Sequence, residues 1–448
     1  MTNSEALSAS QDRFSESASK ADVRKQSWKA AAGGSIGSVI EFYDFTLFVF
    51  LATIISARFF PAEEPSAAFL STLAAVGVGY LIRPLGGLLI GWIADRRGRK
   101  YALILTFVLM IGSTLGIGIL PDYSTISYWA PVILVSLRLI QGFSAGAEWS
   151  TAATFITEWA PEGHRGVFGS VAQMGITAGS LLATLSVAVL STVLAPADLE
   201  SWGWRVPFVL GGVILLPVGI YLRQRAQETP AFRKVVETAP ALPAKMLKQV
   251  LRLIGTMLGG IVCILLTTAF MPAYAEKFLG ISRATAGWSN TLCNSLVLVL
   301  TPFIGLLSDR IGRRPMFLGA NLMFVVFSIP LFIWMTSAPG TASLYTSQVV
   351  FALATSLIYG ATAATLVEMF PTRSRTMYMS LGYGLAVAMF GGFSGFAASW
   401  LIQRTGSPIA PAYLMVTASF VTVLTVLSNR ETAFLTMAEI DTRGVGPS

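Results

Sequence analysis

The chain alternates long apolar runs with short polar breaks. A helix gains about 1.5 Å per residue, so about 20 apolar residues cross a bilayer core. Twelve stretches meet that length: 30–57, 67–94, 101–120, 130–157, 167–194, 204–223, 252–277, 285–307, 316–337, 343–367, 377–402 and 410–428. The breaks fall on turn chemistry, at Pro61, Pro65, Pro121, Pro161, Pro196, Pro339-Gly340 and Gly406-Ser407-Pro408. The longest polar interruption, 224–251, divides the spans into two sets of six, 30–223 and 252–428. Polar tails, 1–29 and 429–448, flank them. The first apolar run is too long for the core of a cleaved leader, so an uncleaved first span is expected.

Composition narrows the class. Apolar residues make up 54% of 448 and charged residues 12%, about half the charge of a soluble domain. An all-α membrane protein follows. The charge of +8 is not spread evenly. With the N-terminus inside, 24 of the 31 Lys and Arg residues fall on the cytoplasmic side and five outside; Arg83 and Arg138 lie within spans. That bias orients an even number of spans with both termini cytoplasmic. It is a topology signal, and no basic, aromatic-interleaved face suggests nucleic acid. Cys263 and Cys293 lie inside apolar runs, and the single histidine, His164, lies in a polar loop. Neither a metal site nor histidine acid–base chemistry is expected from them.

Two loops repeat. Gly91, Asp95, Arg96, Gly98 and Arg99 recur as Gly305, Asp309, Arg310, Gly312 and Arg313, at an offset of 214. Glu158, Pro161 and Arg165 recur as Glu368, Pro371 and Arg375, at an offset of 210. Duplication explains both. Each Asp ends a span, where its carboxylate can cap a neighbouring helix start or pair with Arg. One reading is a basic, topology-setting loop with a glycine turn. The other is a cytoplasmic gate built from Gly91, Asp95, Arg96, Gly98, Arg99, Glu158, Arg165, Asp309, Arg310, Gly312, Arg313, Glu368 and Arg375. Its ion pairs would hold that side closed and break when it opens.

The loop from Gly91 to Lys100 and its echo resemble the signature of the major facilitator superfamily. Residues 37–45 (GSVIEFYDF), 83–87 (RPLGG), 138–148 (RLIQGFSAGAE) and 228–232 (ETPAF) are similar to its metabolite–proton symporter family over about residues 30–430. Residues 307–315 and 390–392 look most like the citrate/tricarballylate branch. Ser38 and Phe42 depart from the family's pattern. The resemblance implies a major-facilitator fold of twelve transmembrane helices in two six-helix bundles, with spans 1, 4, 7 and 10 lining a central cavity. It implies proton-coupled uptake of organic acids, betaines or shikimate. With 18 residues after Arg430, a coiled-coil osmosensory role is not expected.

Five charges lie inside spans: Glu41, Asp44, Arg83, Arg138 and Glu148. Each costs a few kcal/mol there, so each needs a partner or a function. Helix rise places Glu41 and Asp44 about 15 and 20 Å from the cytoplasmic end, Glu148 about 14 Å and Arg138 about 28 Å. Asp44 is therefore the first-span acid nearest Arg138, and Glu148 is level with Glu41. The expected mechanism has Asp44 take the coupling proton and release Arg138 to an anionic substrate, with Glu41 and Glu148 able to share a proton. The alternative is a structural ion pair that fixes helix register. Arg83, about 18 Å deep, either meets a carboxylate or bonds carbonyls freed by Pro84. Further candidates for substrate contact are Tyr43, Gln141, Gln173, Tyr274, Asn290, Asn294 and Tyr359, although most lone polar residues in spans join helices. Gly142/Gly146, Gly175/Gly179 and Gly391/Gly395 have the spacing for close helix packing.

The expected protein is no enzyme and carries no cofactor. It is a monomer in a bacterial-type inner membrane that imports a small organic anion, of di- or tricarboxylate type, with protons. Shikimate, an aromatic acid or a betaine are alternative substrates. Export or exchange is an alternative mechanism, and a membrane sensor is an alternative class.

Overall fold

The computed structural model describes residues 27–29, 31–60, 77–225, 244–372 and 374–443. Most of the 1–29 tail, the first turns of span 2, residues 226–243 with the 228–232 motif, Arg373 and the last five residues lie outside them. The described chain is a helical bundle. Helix α1 covers 31–50 and, across a turn at Leu51, Ala52–Phe59. Helix α2 covers 77–81 and Arg83–Arg97. The first half continues with α3 (Arg99–Ile119), α4 (Trp129–Glu158), α5 (Arg165–Val193) and α6 (Arg205–Arg225). The second comprises α7 (Ala244–Leu265, extended to Leu279), α8 (Arg283–Ile311), α9 (Arg313–Ser337), α10 (Thr341–Glu368), α11 (Arg375–Ala386, extended to Thr405) and α12 (Ala410–Ser428). A short α13 (Met437–Arg443) follows. Among the described residues, nine of these helices are long and apolar enough to cross a membrane; α1, α2 and α6 complete the twelve.

Two local features depart from the sequence expectation. Helix α7 begins at Ala244, eight residues before the apolar run. Its first turns are amphipathic, with Lys248 exposed and Val250 and Leu253 buried, so hydropathy alone does not find them. Both α7 and α11 widen into a π turn, Leu266–Phe270 and Val387–Gly391. The first precedes Pro272, whose missing N–H breaks the regular ladder.

The halves meet through α2 against α11 and α5 against α8, with α4 touching both α10 and α11. These pairs exchange under the repeat, as duplication requires. Close approach inside the first half rests on glycine. A Cβ at Gly142 would lie 2.0 Å from the Gly79 carbonyl oxygen, and one at Gly146 2.1 Å from that of Arg83. Helices α2 and α4 therefore touch backbone to backbone, as small-residue spacing predicts. Gly391 and Gly395 differ: their nearest neighbours, at 3.1 and 3.6 Å, are the Leu265 and Phe270 side chains.

Candidate functional site

Close packing of α2 on α4 carries Arg83 and Arg138 to the face of α1 that holds Glu41 and Asp44. Arg138 Nη1 donates to Asp44 Oδ2 at 2.9 Å and to Gln141 Oε1 at 2.8 Å. Gln141 in turn donates to Thr114 Oγ1 at 3.1 Å. The Arg138 guanidinium lies over the Phe48 ring at 3.5 Å. Arg83 Nη2 is 3.1 Å from Glu41 Oε1 and stacks 4.7 Å from the Tyr80 centroid. Arg83 thus meets a carboxylate. Glu148, level with Glu41 in depth, accepts from the Thr106 hydroxyl on α3.

Glu41, Asp44, Arg83 and Arg138, but not Glu148, line one cavity together with Phe45, Phe48 and Gln141. All four charged residues, Glu41, Asp44, Arg83 and Arg138, are at most 7% exposed. Asp44 Oδ1, both Glu41 oxygens, Arg83 Nε, and Arg138 Nε and Nη2 accept or donate no hydrogen bond among the described residues. The cavity therefore offers two carboxylates and two guanidinium groups, balanced in charge, with spare hydrogen-bonding capacity.

Other sequence candidates divide into two groups. Tyr43 donates its hydroxyl to the Pro207 carbonyl at 2.8 Å, and Tyr274 to the Pro408 carbonyl at 2.8 Å. The first ties α1 to α6, and the second ties α7 to the loop before α12. Asn294 donates to the Asn290 carbonyl on its own helix at 3.1 Å. Gln173 accepts from the Trp149 indole at 2.6 Å, and Trp149 stacks on Tyr383 of the other half at 4.4 Å. Tyr359 packs between core clusters, partly buried. Of the polar candidates, only Gln141 lines the charged cavity.

At the basic end, the duplicated loops form two matching networks that cross between the halves. Asp95 Oδ2 accepts from the Met377 backbone N–H at 2.8 Å, at the start of α11. Asp309 accepts from the Gly166 and Val167 N–H groups at 2.7 and 2.9 Å, at the start of α5. Glu158 lies between Arg99 at 3.3 Å and Arg375 at 3.0 Å. Glu368 lies between Arg313 and Arg165, each at 3.2 Å. Gly98 and Gly312 start the next helix with φ of 104° and 108°, which disfavours any side chain there. Gly91 lets α2 approach α11, since a Cβ would sit 2.8 Å from the Met377 Cα.

Arg96 and Arg310, expected in the gate, stand outside these networks. Arg96 is exposed and lies over the Trp92 ring at 4.4 Å. Arg310 is exposed, with no carboxylate within 4.0 Å among the described residues. Each follows its Asp by one position and so leaves on another helix face. Arg99 and Arg313 begin the next helix, and the turn at Gly98 and Gly312 brings each back to its Asp, at 3.5 and 2.9 Å.

The sequence reasoning missed the docking of residues 429–443 across this end. Glu431 caps α9, accepting from the Arg313 and Arg314 N–H groups at 2.8 and 3.0 Å. Thr432 donates to Glu368 at 2.5 Å. Arg165, from the other half, donates to the Leu435 carbonyl. Asp441 accepts from the Thr372 N–H at 2.8 Å. Acidic residues in a tail beside a basic end were the available signal.

Comparison with known proteins adds a family context. Residues 30–252 match the Sugar (and other) transporter family and residues 256–436 the Major Facilitator Superfamily. The chain is 33% identical over 424 residues to the proline/betaine transporter of Escherichia coli (strain K12), covering 90% of this chain and 84% of that protein. It is 32% identical to a putative proline/betaine transporter of Staphylococcus aureus (strain MSSA476), covering 90% and 88%. Its fold is similar to the proton:xylose symporter XylE, with a TM-score of 0.80 at 19% identity, over 94% of this chain and 99% of that one. These relatives point toward proline/betaine transporters, in place of the citrate/tricarballylate branch suggested by the C-terminal half.

Proposed function

The chain belongs to the major facilitator superfamily of multi-pass membrane transporters, and from that premise we propose that it imports a small zwitterion of the proline or betaine type together with protons. The observation that carries this reading is the charge balance of the cavity. Glu41 and Asp44 face Arg83 and Arg138 in one buried space. A zwitterion can exchange partners with both pairs and leave the site neutral. A tricarboxylate would bring three negative charges to two guanidinium groups already matched by carboxylates. Phe45 and Phe48 line the same space, and aromatic faces favour quaternary ammonium groups. The names of the relatives support the same class.

In this mechanism Asp44 carries the coupling proton. Ionised, it holds Arg138; protonated, it releases the guanidinium to the substrate carboxylate. Glu41 and Arg83 offer the second pair, toward the ammonium. The basic end faces the cytoplasm, as the Lys and Arg bias suggests, and the two gate networks close that side while substrate enters from outside. Alternating access follows when they separate. Purified protein in liposomes should accumulate radiolabelled proline or glycine betaine when an inward proton gradient is imposed. Accumulation of citrate with neither zwitterion transported would overturn the substrate class.

A further inference from the structure

A second cavity lies at the basic end of the C-terminal half, among α7, α9, α10, α12 and the docked C-terminal segment. Four guanidinium groups line it, those of Arg252, Arg313, Arg314 and Arg430, and no carboxylate does. Arg313 is matched by Asp309 and Glu368. The other three have no carboxylate within 4.0 Å among the described residues. Arg314 donates Nη2 to the Leu427 carbonyl, while its Nε is buried with no partner among the described residues. Glu431, next in the chain to Arg430, spends its oxygens on backbone N–H groups and so serves as a helix cap. Asn429 donates to Thr256 at 2.9 Å, fastening the segment to α7.

Three like charges around one cavity repel one another, and the repulsion grows where walls exclude water. Guanidinium forks match tetrahedral oxyanions in shape and donor spacing. We propose that this cavity binds a phosphate-type anion, from a phospholipid headgroup or from free phosphate. The anion joins α7 through Arg252, α9 through Arg314 and the C-terminal segment through Arg430. The helix ends around it lie where headgroups meet the bilayer surface. Because Arg313 lines the cavity and also holds Asp309 and Glu368, occupancy is coupled to the gate. A bound anion pins the C-terminal segment and favours the closed basic end. The site is separate from the charged central cavity, so it stands whatever the transported substrate.

The test is thermal unfolding of the purified full chain in neutral detergent. One arm adds inorganic phosphate against chloride at equal ionic strength. The other adds phosphatidylglycerol against phosphatidylcholine. The expected result is a midpoint rise of at least about 2 °C with phosphate, phosphatidylglycerol or both, and none with the controls. A rise with phosphate assigns the site to the free anion. A rise with phosphatidylglycerol alone assigns it to the headgroup. Arg252→Gln combined with Arg430→Gln should abolish the rise, and Arg430→Gln alone, at an exposed position, should reduce it if the pair does not purify. No rise in either arm, or a rise undiminished in these variants, overturns the proposal.

Discussion

Replacing Glu158 by Gln should loosen the basic end by an amount that its geometry sets. The carboxylate has no exposed side-chain surface and holds Arg99 of its own half and Arg375 of the other, at 3.3 and 3.0 Å. Gln keeps the shape and removes the charge, leaving Arg99 only the longer pair with Asp95 at 3.5 Å and Arg375 only that with Asp441 at 3.7 Å. Removing one partner of a buried pair costs about 3–5 kcal/mol. Arg99 keeps the Thr372 carbonyl at 2.9 Å, and Arg375 keeps the Phe370 carbonyl at 3.0 Å. The lower bound, about 3 kcal/mol, is therefore appropriate. In the proposed mechanism Glu158 and Arg375 belong to halves that separate on opening, so the cost of losing that pair falls on the closed form. The closed-to-open ratio should fall by roughly 150-fold. A reporter is Thr154→Cys, on α4 beside Met379 of α11 and fully buried in the closed form. With Cys263 and Cys293 replaced by Ala, an impermeant maleimide supplied from the basic side should label it at least tenfold faster in the Glu158→Gln background. Glu368→Gln should do the same through the second network. An unchanged or slower rate in both backgrounds would refute the gate reasoning.

Glycine positions give a contrast in stability. Gly146→Ala places a methyl 2.1 Å from the Arg83 carbonyl oxygen and should lower stability by about 1–3 kcal/mol or more, seen as a lower unfolding midpoint. Gly395→Ala, whose Cβ would meet Phe270 at 3.6 Å, should change it by less than about 0.5 kcal/mol. Tyr43→Phe removes the bond to the Pro207 carbonyl and should cost about 1 kcal/mol while leaving the KM for transport nearly unchanged. A large rise in KM would return Tyr43 to the substrate site.

The twelve spans were legible because length and hydropathy are local properties. Their ends were less so: the first turns of α7 are amphipathic and carry Lys248, which hydropathy assigns to a loop. Depth marked Asp44 as the first-span acid nearest Arg138, but it placed Arg83 as near to Asp44 as to Glu41, so depth alone did not fix which acid meets which guanidinium. At the basic end the repeat marked the loops that carry the ion pairs, but only the turn at Gly98 and Gly312 separates the paired Arg99 and Arg313 from the exposed Arg96 and Arg310. The hydroxyl bonds of Tyr43 and Tyr274 and the docking of Glu431 and Asp441 join residues distant in sequence. They leave no periodic trace; the acidic residues of the tail were the one signal, and it names no partners.

The account's central claim is that a protonatable Asp44, paired with Arg138, couples protons to transport. The direct measurement is uptake by purified Asp44→Asn in liposomes, under an imposed pH gradient and, separately, in exchange against internal substrate. The account predicts loss of pH-driven accumulation with exchange retained. Accumulation at the wild-type level would contradict it.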